Sequence, residues 1–195
     1  TVENAAQGID IHADHVIVAH NIVNDAFMGM KAMHGSRHVL IVGNQFSKSA
    51  LWAIGLMPGA ASHAGGAGEG GKPVEPNVDG GSIIAQNIIS DFGYGKSHWI
   101  WGGSGHDCFP ILLDRGQKPT NPTLADVLIQ GNVVYDTGRD GVAVDGKVKA
   151  QPPRYKYAVR VTEGPYGPKG LHFSGNLFHP GTAGEPPIAP EDWDR

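Results

Sequence analysis

Asp10, His12 and Lys31 are the residues whose types and placement best suit chemistry. In an extended strand side chains alternate, so a carboxylate at 10 and an imidazole at 12 share one side. Lys31 follows about one repeat later, where a neighbouring rung would bring its ammonium within a few ångströms of both. The set suits proton abstraction next to a carboxylate. A base, Lys31 or His12, removes the proton, and cations stabilise the enolate-like charge that develops. Asp10 would serve as acid partner or metal ligand, and Asp14 adds a second carboxylate for a metal ion. A solvated cluster with a modest salt bridge is the alternative reading of the same residues.

Trp99 and Trp101, with Trp52 nearby, offer flat apolar faces for stacking, or else fill core. His34 and Asp145 complete the substrate-binding candidates. Gly102-Gly-Ser-Gly-His106-Asp107 lacks the terminal Gly-Lys-Ser/Thr of a phosphate loop and reads as a turn.

The elements that would position these residues come from an internal repeat. One unit occurs five times, centred on Asn21, Asn44, Asn87, Asn132 and Asn176. Three residues before each asparagine stand Val18, Ile41, Ile84, Ile129 and Phe173; two after it stand Val23, Phe46, Ile89, Val134 and Phe178. Both columns are apolar throughout. The asparagine falls between two short strands, where it tolerates a left-handed backbone, and stacked copies would form a ladder. The first spacing is 23 residues and the later ones are 43, 45 and 44, which read as single coils carrying loop excursions.

A second strand family follows each unit: Ile9-Asp-Ile11, Met30-Lys-Ala32, Trp52-Ala-Ile-Gly-Leu56, His98-Trp-Ile-Trp101 and Val142-Ala-Val144. Its outward column would run through Asp10 and His12, Lys31 and Met33, Ala53 and Gly55, Trp99 and Trp101, Ala143 and Asp145. With rungs about 4.8 Å apart, this predicts an exposed strip with small residues forming a floor in its middle.

The 29 glycines, 14 prolines and 17% charged residues fit an all-β chain of short apolar strands. One domain over 1–195 is expected, with a repeat region of about 8–180, a Gly/Pro-rich excursion at 58–80 and an irregular tail at 181–195. A net charge of −4 with scattered Lys and Arg speaks against nucleic acid as a partner. The apolar runs are too short to span a bilayer. Thr1 to Gly8 lacks the parts of an export signal, so any such signal has been removed. The single Cys108 rules out an internal disulfide.

The repeated V-x-I-x-x-N-x-I pattern, over about Gly8 to Pro180, resembles the right-handed parallel β-helix proteins of the pectate-lyase-like superfamily. That group includes polysaccharide lyases, glycoside hydrolases, mannuronan epimerase-like proteins and phage tailspikes. The resemblance implies a solenoid of about five or six coils, export to a secreted or periplasmic location, and a long polysaccharide bound along one sheet. It implies lyase or epimerase chemistry on an acidic glycan, with Ca²⁺ as the cofactor such chemistry admits. Glycoside hydrolysis and a non-catalytic glycan-binding shaft are the rival readings. The paired aspartates of polygalacturonases are missing, and Asp10-Ile-His12-Ala-Asp14 lacks the proline and spacing of the epimerase D-P-H-D motif.

Asp10-Ile-His12-Ala-Asp14-His15 also resembles the H-x-H-x-D-H zinc motif of metallo-β-lactamase-type hydrolases, with Asp10 replacing its first histidine. Because His38 repeats His15, stacked surface histidines are the competing expectation. A solenoid needs covered ends, and Ile9-Asp-Ile11 begins almost at once. Further coils or caps of a longer chain are therefore expected partners.

Overall fold

The structure, a computed structural model, describes residues 1–33, 36–57, 66–67, 69–71, 73–74, 79–91, 109–115, 121, 124–137, 143–144, 147–148, 155–161 and 167–181. These residues are all-β, and their parallel sheets curl into a half-barrel compatible with a β-solenoid.

Successive segments stack as rungs. The first is the strand Val2–Ile11; the second holds Ile17–Ala19 and Ile22–Ala32. The third holds Leu40–Val42, Gln45–Ser47 and Trp52–Leu56, and the fourth Ile83–Ala85, Ile88–Ser90 and Phe109–Leu113. The fifth holds Leu124–Gln130, Val133–Tyr135 and Val159–Val161, and the sixth Lys169–Ser174 and Leu177–Phe178. The strand before each asparagine joins a six-stranded sheet, and those after it join a nine-stranded one.

The two predicted apolar columns are inward and in register. Val18 pairs with Ile41, Ile41 with Ile84, Ile84 with Ile129, and Ile129 with Phe173. Val23, Phe46, Ile89, Val134 and Phe178 align in the same way. A third wall is made by Ile9, Met30, Ile54, Ile111 and Val159. Each fully buried side chain of this size stabilises the stack by about 1.5–3 kcal/mol relative to exposure, so the register is strongly specified.

Asn21, Asn44, Asn87, Asn132 and Asn176 form the expected ladder. Each Nδ2 but the last donates to the next Oδ1 at 3.0 Å. Each later asparagine gives its second amide hydrogen to a carbonyl on the rung before: Val18, Ile41, Ile84 or Ile129. Every Oδ1 from Asn44 onward also accepts the backbone N–H of the preceding asparagine. Asn44 thus bonds directly to Asn87, and the 43-residue spacing is one coil with an excursion.

The left-handed backbone lies elsewhere than expected. It falls on the residue before each asparagine, His20, Gly43, Gln86, Gly131 and Gly175, and on the residue six before, His15, His38, Gly81, Asp126 and Gly170. The asparagine keeps ordinary backbone angles because its amide must turn inward to meet the next rung. Apart from Gln86, these corners take glycine or the His and Asp side chains that tolerate positive φ better than most.

The second strand family departs from expectation after Trp52–Leu56. Phe109–Leu113 pairs with Trp52–Leu56, and Val159–Val161 follows it, while His98–Trp101 lies outside the described residues. Ala143–Val144 instead pairs antiparallel with Lys147–Val148. Long excursions hide this register, since several apolar triplets compete for each position. Within the 58–80 excursion, Gly66–Ala67 and Pro73–Val74 form an antiparallel pair.

Candidate functional site

Rungs one and two place Asp10 directly opposite Lys31 in the parallel register. The side chains meet as expected: His12 Nε2 lies 2.8 Å from Asp10 Oδ1, and Lys31 Nζ lies 3.3 Å from Asp10 Oδ2. Each carboxylate oxygen has its own partner. His12 is 48% and Asp10 36% exposed, whereas Lys31 is only 15% exposed. The arrangement presents an oriented imidazole to solvent and holds a cation on the other oxygen of the same carboxylate, a set suited to proton transfer beside an anion.

Asp14 does not join this cluster. Arg37, from the next rung, donates to Asp14 through its backbone N–H at 3.1 Å, through Nε at 2.9 Å and through a second guanidinium nitrogen. The side-chain hydrogen bond from Arg37 is the largest cause holding the Asp14 carboxyl below its usual range, with the nearby positive charges acting in the same sense against partial desolvation. Asp14 is therefore a rung-to-rung clamp. Among the described residues no group of three or more His, Cys, Asp or Glu side chains is placed to hold a metal ion. Sequence reasoning missed Arg37, although it precedes His38 as Asp14 precedes His15, at the repeat's own offset of 23. His15 and His38 lie one above the other at corresponding corners, with ring centroids 4.6 Å apart and the rings tilted by 43°.

Beyond Lys31 the outward column continues through Gly55, Leu112 and Arg160. Among the described residues the expected open floor is absent. Ala53 is fully buried, and Gly55 is covered by Trp52 and Met57: a Cβ there would meet Trp52 Nε1 at 2.9 Å and Met57 Cε at 3.0 Å. Leu112 is also covered, at 7% exposed. Small residues did not leave a trough because a large neighbour folded over the space. Arg160 sits over the Phe109 ring, 5.3 Å from its centroid; no sequence signal marked it, since its register depends on the excursion before it. His34, Trp99, Trp101 and Asp145 lie outside the described residues.

Two outward apolar columns flank the asparagine corner. Ile17 and Ile83 stand on strands of the six-stranded sheet and Ile22, Ile88 and Leu177 on strands of the nine-stranded one, from 37% to 69% exposed. No helix of the described residues is long and apolar enough to cross a membrane. Comparisons with protein families, curated proteins and solved structures found no match to this chain.

Proposed function

We propose that this chain is a right-handed parallel β-helix of the pectate-lyase-like kind that acts on an acidic polysaccharide, by lyase or epimerase chemistry ahead of glycoside hydrolysis. The observation that carries the reading is Asp10 bonded to both His12 and Lys31 on the outer face of the first two rungs. Parallel rungs joined by an asparagine ladder support the fold part of the proposal. An exported location, secreted or periplasmic, belongs to the same reading.

Asp10 accepts a hydrogen bond from His12 Nε2, which puts the basic lone pair on Nδ1. That nitrogen removes the proton from the carbon bearing a uronate carboxylate, and Lys31 stabilises the charge spreading into that carboxylate. In a lyase the C–H electron pair becomes the new C=C bond as the neighbouring C–O bond breaks; the departing oxygen takes a proton from water. In an epimerase a proton returns to the opposite face instead.

The test is incubation with a panel of uronate polymers, with and without Ca²⁺, following absorbance of the unsaturated product and, by NMR, inversion at the same carbon. Neither signal from any polymer removes the enzymatic reading. The exposed Ile17, Ile22, Ile83, Ile88 and Leu177 favour a second reading, a non-catalytic glycan-binding shaft whose outer faces are covered in a larger assembly. Glycan retention that survives Asp10→Ala with Lys31→Ala, without turnover, would decide for the shaft.

A further inference from the structure

Trp52 is only half-buried, while the four residues that follow it in its strand, Ala53 to Leu56, are buried. Its indole is nevertheless pinned. Nε1 donates to the Met30 carbonyl at 3.1 Å, across the rung boundary and next to Lys31 in sequence. The same edge of the ring rests on Gly55, where a Cβ would come within 2.9 Å of Nε1 and 3.2 Å of Cδ1. Gly55 is itself the in-register neighbour of Lys31. A ring fixed by a hydrogen bond and a glycine seat carries little side-chain entropy to lose on binding. Its position continues the line from Asp10 and Lys31 by one rung.

The geometry points to Trp52 as a stacking platform for a pyranose ring, one rung beyond Lys31; this rests on the acidic-glycan reading above. The ligand class is a glycan that contains uronate. The apolar C–H face of one sugar ring covers the indole and displaces water, and a carboxylate on the adjoining ring meets Lys31. The two contributions separate by chemistry. Trp52 acts on acidic and neutral sugars alike, whereas Lys31 discriminates the acid.

The experiment is calorimetric titration of the full chain with trigalacturonate and with its methyl ester, using wild type, Trp52→Ala, Trp52→Phe, Gly55→Ala and Lys31→Met, each shown to be folded by urea melting. Trp52→Ala should weaken both trimers about tenfold, and Trp52→Phe much less. Gly55→Ala, which lifts the indole from its seat, should weaken both as well. Lys31→Met should weaken only the acid. If Trp52→Ala does not fold, unchanged affinity in Gly55→Ala overturns the platform. Trp52→Ala binding like wild type while Lys31→Met loses the acid also overturns the platform, and leaves the glycan reading standing. Wild type that binds neither trimer nor any polymer of the uronate panel removes both.

Discussion

Asn44 and Asn87 are 43 positions apart in the chain, yet Asn44 offers both its backbone N–H and its Nδ2–H to the Oδ1 of Asn87, each at 3.0 Å. Asn87 passes the pattern on through Nδ2 to Asn132 and to the Ile41 carbonyl, and it is fully buried. Removing its amide strands two donors and two acceptors in a dry interior. Asn87→Ala should therefore cost about 3–5 kcal/mol, whereas Asn176→Ala, at the half-buried last step, should cost about 1 kcal/mol. Urea melts of the two variants check the contrast; equal losses would mean that the ladder is not a cooperative buried network.

The ladder and its flanking columns were legible because they obey a local rule. A residue three before or two after each asparagine is read without knowing where the chain goes in between. The Asp10–Lys31 contact was legible for the same reason, since the first two rungs are joined without a long excursion. Past Trp52 the rule fails. Phe109–Leu113 and Val159–Val161 enter the sheet after long insertions, so sequence distance no longer gives the register. The covering of Gly55 was illegible for a different cause: a small residue marks space, and only the folded chain brings Trp52 over to occupy it.

The carboxylate, imidazole and ammonium have separable jobs in the proposed chemistry, so their variants should fail differently. His12→Gln should lower kcat on an acidic glycan by about 10²–10⁴-fold. Asp10→Asn, which keeps the shape but loses the charge that holds His12 Nε2, should lower kcat with little change in KM. Lys31→Met should raise KM for the acid as well as lower kcat. Steady-state rates on the best polymer of the panel test the ordering; three variants with wild-type rates would remove this cluster from the reaction.

Asp14 and Arg37 give a stability term with a defined acid limit. The folded carboxyl titrates below its ordinary value of 3.8, chiefly because of the Arg37 hydrogen bonds. The unfolded chain therefore takes up the proton first as pH falls. The stabilisation is fully present above about pH 4 to 5 and is lost as pH drops through the lowered folded value. Both side chains are partly solvated, so Arg37→Ala should cost no more than about 1 kcal/mol at pH 6, and less in high salt. Urea melts of wild type and Arg37→Ala between pH 6 and pH 2 should converge at the acid end. A gap that persists at pH 2 would show that Arg37 acts through packing instead.

Tyr155 sets the opposite limit. It is 1% exposed, its hydroxyl donates to the His179 carbonyl at 3.0 Å, and its pKa is pushed up from 10.0 to about 12, first by burial and then by the charge of Asp136. The folded chain holds this proton more tightly than the unfolded one. Stability is therefore unaffected below about pH 10 and declines as pH rises from 10 towards 12, by an amount on the order of 2–3 kcal/mol. Tyr155→Phe loses the hydrogen bond, about 1 kcal/mol at neutral pH, yet its stability should stay flatter across the alkaline range. Denaturant melts of both proteins at pH 8, 10 and 11.5, alongside the ultraviolet tyrosinate signal, measure this directly. If both proteins lose the same stability over that range, the alkaline transition belongs to another group, and Tyr155 contributes packing alone.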